Sequence, residues 1–185
     1  MPLKKFNDEV YYSSDPVVKV AQADIKDFKR KALANPRERV RLCSHPDVND
    51  PLHEMLIVHT KGIYVRPHRH LNKSESFHVI EGRVDVVIYD ESGEIREIME
   101  MGDYASGKCF YYRIGEPLFH TLLIHSDFLI FHETTNGPLK REDTVFAAWA
   151  PEETEKSKVK EFMRKLAKDV GMIKDNAGSA KGALK

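Results

Sequence analysis

The chain has no excess of charge of either sign. Its 185 residues include 29 basic and 29 acidic side chains, so no net field draws it to nucleic acid or to an acidic membrane, and any partner must be recognised locally. Cysteine is scarce. Cys43 and Cys109 fall in separate apolar stretches, which suits buried, reduced thiols of a cytoplasmic protein better than a disulfide framework. No apolar run is long enough to span a bilayer, and Met1-Pro2-Leu3-Lys4-Lys5 leads into charged residues instead of a signal-peptide core. Internal repeats, a Walker loop, a Rossmann glycine fingerprint, a GxSxG elbow and zinc-finger cysteine spacing are all missing. What is left is a neutral chain, 41% hydrophobic, of a length that suits one domain with a substantial core and appendages.

The stretch from Gly62 to Gly82 is the chemically dense one. His68 and His70 are one residue apart in a segment that alternates like a β-strand, so they share a face and their imidazoles, about 7 Å apart along the backbone, can converge on one cation. Glu75 would fall on the opposite face of an unbroken strand. The turn formers in Leu71-Asn72-Lys73-Ser74 reset the phase, so that Glu75, Phe77 and Val79 line one face and His78 the other. A third imidazole is expected from His120, which follows a Gly/Pro turn signal and opens the apolar run Thr121 to Ile124. Three imidazoles and a carboxylate suit one divalent first-row metal ion, Fe, Mn, Co, Ni or Zn, with one or two positions left for water or substrate.

Around this motif the period is two. Val40 and Leu42 alternate with arginines; Met55, Ile57 and Val58 form a second strand; Val84, Val86 and Ile88 lead through the Asp90-to-Gly93 hairpin turn to Ile95 and Ile98. Phe128 to Phe131 reads as a core strand leading to His132 and Glu133. The aromatic run Phe110-Tyr111-Tyr112 reads as core and dimer packing, with stacking on a sugar or base as the alternative. Short strands with turns between them and no interleaved helices predict an all-β sandwich or barrel. Helices flank it. After a cap region at Ser13-Ser14-Asp15, Ala21, Ile25, Phe28 and Ala32 recur at helical spacing and predict a helix that docks on the barrel. Val159, Phe162, Met163, Leu166 and Val170 predict a second helix that ends near Gly171, followed by a loose polar tail. The expected division is residues 1–38 for an arm and helix, 39–153 for the barrel, and 154–185 for the C-terminal helix and tail.

Several side chains are candidates for work around the metal. Tyr64 and Arg66 share the strand parity of His68 and His70 and are expected to face the cavity, where an arginine suits a carboxylate or phosphate. Lys73 is placed to orient Glu75 or an anionic substrate, and Glu133 to act as a general base; plain salt bridges are the competing reading for each. His45, His53 and His59 lie at strand ends with nothing at ligand spacing. They read as structural, with His59 the best placed to line the pocket.

Gly62, His68, His70, Glu75 and Gly82 match G-x5-H-x-H-x4-E-x6-G, and the chain resembles the cupin superfamily in carrying that first motif without a gap. Of the second motif His120 fits, while Gly115 and Pro117 stand in exchanged order, Cys109 replaces a glycine and Ile124 an asparagine. A narrower resemblance, over roughly residues 39 to 153, is to the WbuC family of cupin-fold metalloproteins: RVRLCSHPDVNDPLHEMLI, the metal motif, the Asp90-to-Gly93 turn, His120 and NGPLKREDTVFAAWAPEE carry it. It implies a cupin double-stranded β-helix, or jelly-roll barrel, a homodimer, and an association with O-antigen and related surface-polysaccharide biosynthesis. Three functions follow as expectations: a metal-dependent isomerase, epimerase or lyase acting on a sugar or nucleotide-sugar; an iron-dependent dioxygenase; or a non-catalytic module that binds a small metabolite.

Overall fold

The structure is a computed structural model that describes residues 2–182, with the backbone alone for 177–182. Twelve strands form two sheets. The seven-stranded sheet takes the order β1 (Leu3–Lys5), β2 (Val10–Ser13), β3 (Arg39–Cys43), β4 (Leu52–Thr60), β11 (Phe128–Asn136), β6 (Glu75–Glu81), β9 (Tyr111–Ile114). The five-stranded sheet takes the order β12 (Thr144–Phe146), β5 (His68–His70), β10 (Phe119–Ile124), β7 (Arg83–Tyr89), β8 (Ile95–Gly102). From β4 onward the chain passes back and forth between the sheets, which is the winding of a cupin jelly roll. One pairing departs from the antiparallel pattern expected, because β2 runs parallel to β3.

Alternation explains why so many of these strands are apolar throughout. On β7, Val84, Val86 and Ile88 face the core between the sheets, while Val87 and Tyr89 face outward beneath α2 (Lys156–Gly182), packed with Leu166 and Val170. On the other side Val40, Leu42, Leu56, Val58 and Ile130 lie under Phe28 and Ala32 of α1 (Gln22–Ala34). The protein is thus layered as helix, sheet, core, sheet, helix. Among the described residues no helix is long and apolar enough to cross a membrane.

The N-terminal stretch differs from expectation. Ser13 ends strand β2 instead of capping a helix, and residues 3–13 form a hairpin that extends the seven-stranded sheet. The helix starts at Gln22, where the Asp24 carboxylate accepts from the Ala21 amide at 2.8 Å and closes the first turn. It stops before Pro36. Asn35 there donates from its side chain to Asp8 O at 2.9 Å, pinning the helix end to the hairpin.

The C-terminal helix also differs. It continues through Gly171 to Gly182 where a loose tail was expected from residue 176; residues 183–185 lie outside the described chain. An isolated helical glycine costs only about 1 kcal/mol. Past it, Lys174 is anchored to Asp85 of β7.

Candidate metal centre

The first histidine of β5 and the one of β10 are oriented by the same local device. The Nδ1 of His68 is 2.9 Å from Arg66 O, and the Nδ1 of His120 is 3.0 Å from Leu118 O. A carbonyl can only accept, so each imidazole carries its proton on Nδ1 and turns the lone pair of Nε2 inward. The two strands pair at these residues, His120 opposite His68. The third ring, His70, has its Nδ1 3.2 Å from the Thr144 hydroxyl and its Nε2 3.1 Å from Glu75 Oε2.

Glu75 reaches the group from the other sheet. Asn72 at φ +59°, within the turn after β5, and the Ser74 amide donating to Asn136 Oδ1 at 2.9 Å shift the phase so that Glu75 points inward at the start of β6. Its Oε1 accepts from the Tyr112 hydroxyl at 3.0 Å and lies 3.7 Å from His120 Nε2. One ligand-type atom from each of His68, His70, Glu75 and His120 falls within 4.8 Å of the others.

The donor set fits a cation. Inward lone pairs of His68 and His120 face a carboxylate, acceptor against acceptor, and only a proton or a metal ion between them relieves that arrangement. Burial, then the neighbouring His120 and His70, push the His68 imidazole down to about 3, so it stays neutral and free to ligate. Burial would push the Glu75 carboxyl up; His120 and His70 outweigh it and hold the group below the usual carboxylate range.

These residues line one side of a cavity of about 430 Å³ between the sheets. Arg66 and Lys73 line it, and both are engaged: Arg66 lies 3.9 Å from Glu152 and over the Phe146 ring, and Lys73 donates to Pro138 O at 3.1 Å. Glu133 lines it too, and burial together with the charge of Glu75 pushes its carboxyl up to about 8. The placement expected for Tyr64 is corrected. Its hydroxyl donates to Pro151 O at 2.9 Å and its ring packs on Phe162, outside the cavity lining. Residues 63–67, which end at Pro67, are not strand, so the parity counted back from His68 does not carry through them.

Cys109 is exposed, whereas Cys43 is buried and lines the cavity. His45 and His53 stack on each other at 4.1 Å near one rim, and His59 lies in the wall against Phe131. Three contributors had gone unassigned: Tyr112, Arg41, and the N-terminal hairpin, whose Phe6, Val10 and Tyr12 close part of the cavity. Tyr112 is singled out by register, lying opposite inward-facing Phe77, which the sequence of CFYYRI alone does not reveal.

Fold and site together define a cupin-fold protein with a three-histidine, one-glutamate cluster. A family model described as a domain of unknown function, DUF6016, matches residues 20–101. No curated protein matches the chain in sequence. Among solved structures, protein SO0799 from Shewanella oneidensis is 14% identical with a TM-score of 0.45, the match covering 56% of this chain and 66% of that one. Oxalate oxidase in complex with glycolate is 15% identical with a TM-score of 0.47, covering 61% and 57%. The capsular polysaccharide assembling protein CapF from Staphylococcus aureus is 20% identical with a TM-score of 0.43, covering 53% and 27%. The chain therefore spans less than two thirds of the length of each of these proteins.

Proposed function

We propose that this protein is a metal-dependent enzyme that takes a small polar metabolite into the cavity between its sheets. The observation that carries this reading is the opening of the four-residue cluster onto that cavity; a purely structural metal site is closed by its ligands. A first-row divalent ion held by His68, His70, Glu75 and His120 would supply Lewis-acid chemistry, and iron would add oxygen chemistry.

The chain's own groups have distinct parts in it. The Arg66 and Leu118 carbonyls fix two ligand rings, and Tyr112 holds the Glu75 carboxylate. Ile57, Phe77, Leu122 and Phe131 exclude water from the walls. Glu133 lines the same cavity and would exchange a proton with a substrate atom as a general base or acid. A sugar or nucleotide-linked sugar of surface-polysaccharide assembly is the metabolite that the sequence resemblance favours.

The test is the metal content of protein purified without chelator or nickel affinity, for wild type beside His70→Ala. About one equivalent of a first-row metal, lost in the variant, is the expected result. Oxygen uptake by the iron-loaded protein alone would select the dioxygenase reading. A folded protein without metal in either form would overturn the enzyme reading and leave a metabolite-binding module.

A further inference from the structure

Five cationic side chains line the cavity, and four of them are occupied. Arg37 and Arg39 share the carboxylates of Glu9 and Glu153, with contacts from 2.6 to 3.7 Å. Arg66 lies beside Glu152, and Lys73 between Pro138 O and Asp143. Arg41 is different. Among the described residues no carboxylate lies within ion-pairing distance of its guanidinium, and its one polar side-chain contact is the Met55 sulfur at 3.8 Å.

Its surroundings make that costly to maintain for structural reasons alone. Arg41 stands on the inward face of β3, with Val10, Met55 and Ile57 about it. One strand over, on β4, His59 is 8% exposed and its Nδ1 has no hydrogen-bond partner. A guanidinium and an unpartnered imidazole nitrogen in one partly apolar wall are unmet demand for an acceptor. Glu133 does not meet it. Among the described residues it lies outside ion-pairing distance of Arg41, whose side-chain contact is the Met55 sulfur.

The geometry points to a carboxylate subsite: Arg41, seconded by His59, holds the carboxylate of a substrate whose other end carries oxygen donors for the ion at His68, His70, Glu75 and His120. This rests on the metal-dependent reading above and names its substrate class, a small carboxylic acid with a second oxygen-bearing end. A planar guanidinium matches a carboxylate in two parallel hydrogen bonds. A single unpaired cation balances one negative charge, whereas a phosphate dianion would keep an excess charge out of water. Glu133 interacts electrostatically with both Glu75 and Arg41, and a ligand bridging the two ends would pass beside its carboxyl.

The experiment is titration calorimetry of the metal-loaded protein with malonate, malate and glutarate, and with inorganic phosphate, for wild type, Arg41→Met, Arg41→Lys and His70→Ala. At least one dicarboxylate is expected to bind wild type, and Arg41→Met to weaken it on the order of tenfold or more at unchanged metal content. Arg41→Lys should recover only part, since it keeps charge and loses the fork; should the methionine variant fail to fold, the lysine variant decides by the same criterion. Equal affinity in the Arg41 variants, no dicarboxylate binding to wild type, or tighter Arg41-dependent binding of phosphate overturns the subsite. A failure of the metal reading looks different: wild type without metal, and dicarboxylate affinity that is lost in Arg41→Met but unmoved in His70→Ala.

Discussion

The Tyr112 hydroxyl donates to Glu75 Oε1 at 3.0 Å from inside the core, with its ring stacked on Phe77 at 5.2 Å. The bond fixes one carboxylate oxygen of the only acidic member of the cluster. Tyr112→Phe keeps the stacked ring and removes the donor. Metal affinity should fall by about 10-fold to 100-fold, the usual effect of losing a hydrogen bond to a ligand, with the melting temperature of the metal-free protein little changed. Competition against a chromophoric chelator measures the first quantity and calorimetry the second. An unchanged affinity would mean that the carboxylate is positioned by its other neighbours alone.

Glu133 supplies a pH prediction whose sign follows from its raised carboxyl. The folded value of about 8 stands above the unfolded value near 4.5, so between those pH values the folded state binds more protons than the unfolded one. Its contribution to stability is complete below the unfolded value and is lost as pH rises through about 8. In metal-free protein, urea unfolding should show wild type losing stability between pH 5 and pH 9 relative to Glu133→Gln, at up to about 1.4 kcal/mol per pH unit. Loading a divalent ion should shrink the difference. The charge of Glu75 is one of the causes of the shift, and a cation on Glu75 offsets it.

Three members of the metal cluster, His68, His70 and Glu75, were legible because their spacing is local. Period-two alternation puts His68 and His70 on one face, and Asn72, here with φ +59°, is the residue type that allows the phase change before Glu75. The same counting failed at Tyr64, since the chain from Ile63 to Pro67 is not a strand and parity holds only within one. Arg41 was legible only as the polar alternate of Val40 and Leu42, neither as cavity-facing nor as unpaired. That its neighbours Arg37 and Arg39 are satisfied depends on Glu9 and Glu153, which no local pattern brings together. The length of α2 depended likewise on a contact between residues 85 and 174.

The two glycines that bracket the first motif should differ in what they tolerate. Gly62 has φ +85° with open space where a Cβ would go, whereas Gly82 has φ +103° and a Cβ there would lie 2.3 Å from Phe128 O. Gly62→Ala therefore incurs the backbone term alone, about 1–2 kcal/mol. Gly82→Ala adds a clash with the main chain of β11 and should cost at least about 3 kcal/mol. Thermal unfolding of both variants at one pH checks the order, and equal losses would show that β11 moves aside without penalty.

Asp85 ties the C-terminal helix to the five-stranded sheet. Its side chain is 2% exposed, and its oxygens accept from Lys174 Nζ at 2.7 and 2.8 Å and lie 2.7 Å from His125 Nε2. Lys174→Met leaves a buried carboxylate with one cationic candidate fewer, and hydrogen bonds to charged groups contribute about 1.5–3 kcal/mol each. The expected loss is about 1–3 kcal/mol, with faster amide hydrogen exchange in the last turns of α2 and no change in metal content. Lys165→Ala is the control on the same helix: its partner is Asp169, its side chain is 76% exposed, and such i,i+4 pairs contribute about 0.3–0.5 kcal/mol. Equal effects of the two substitutions would place the anchoring of α2 in the apolar contacts of Leu166 and Val170 and not in the buried charge.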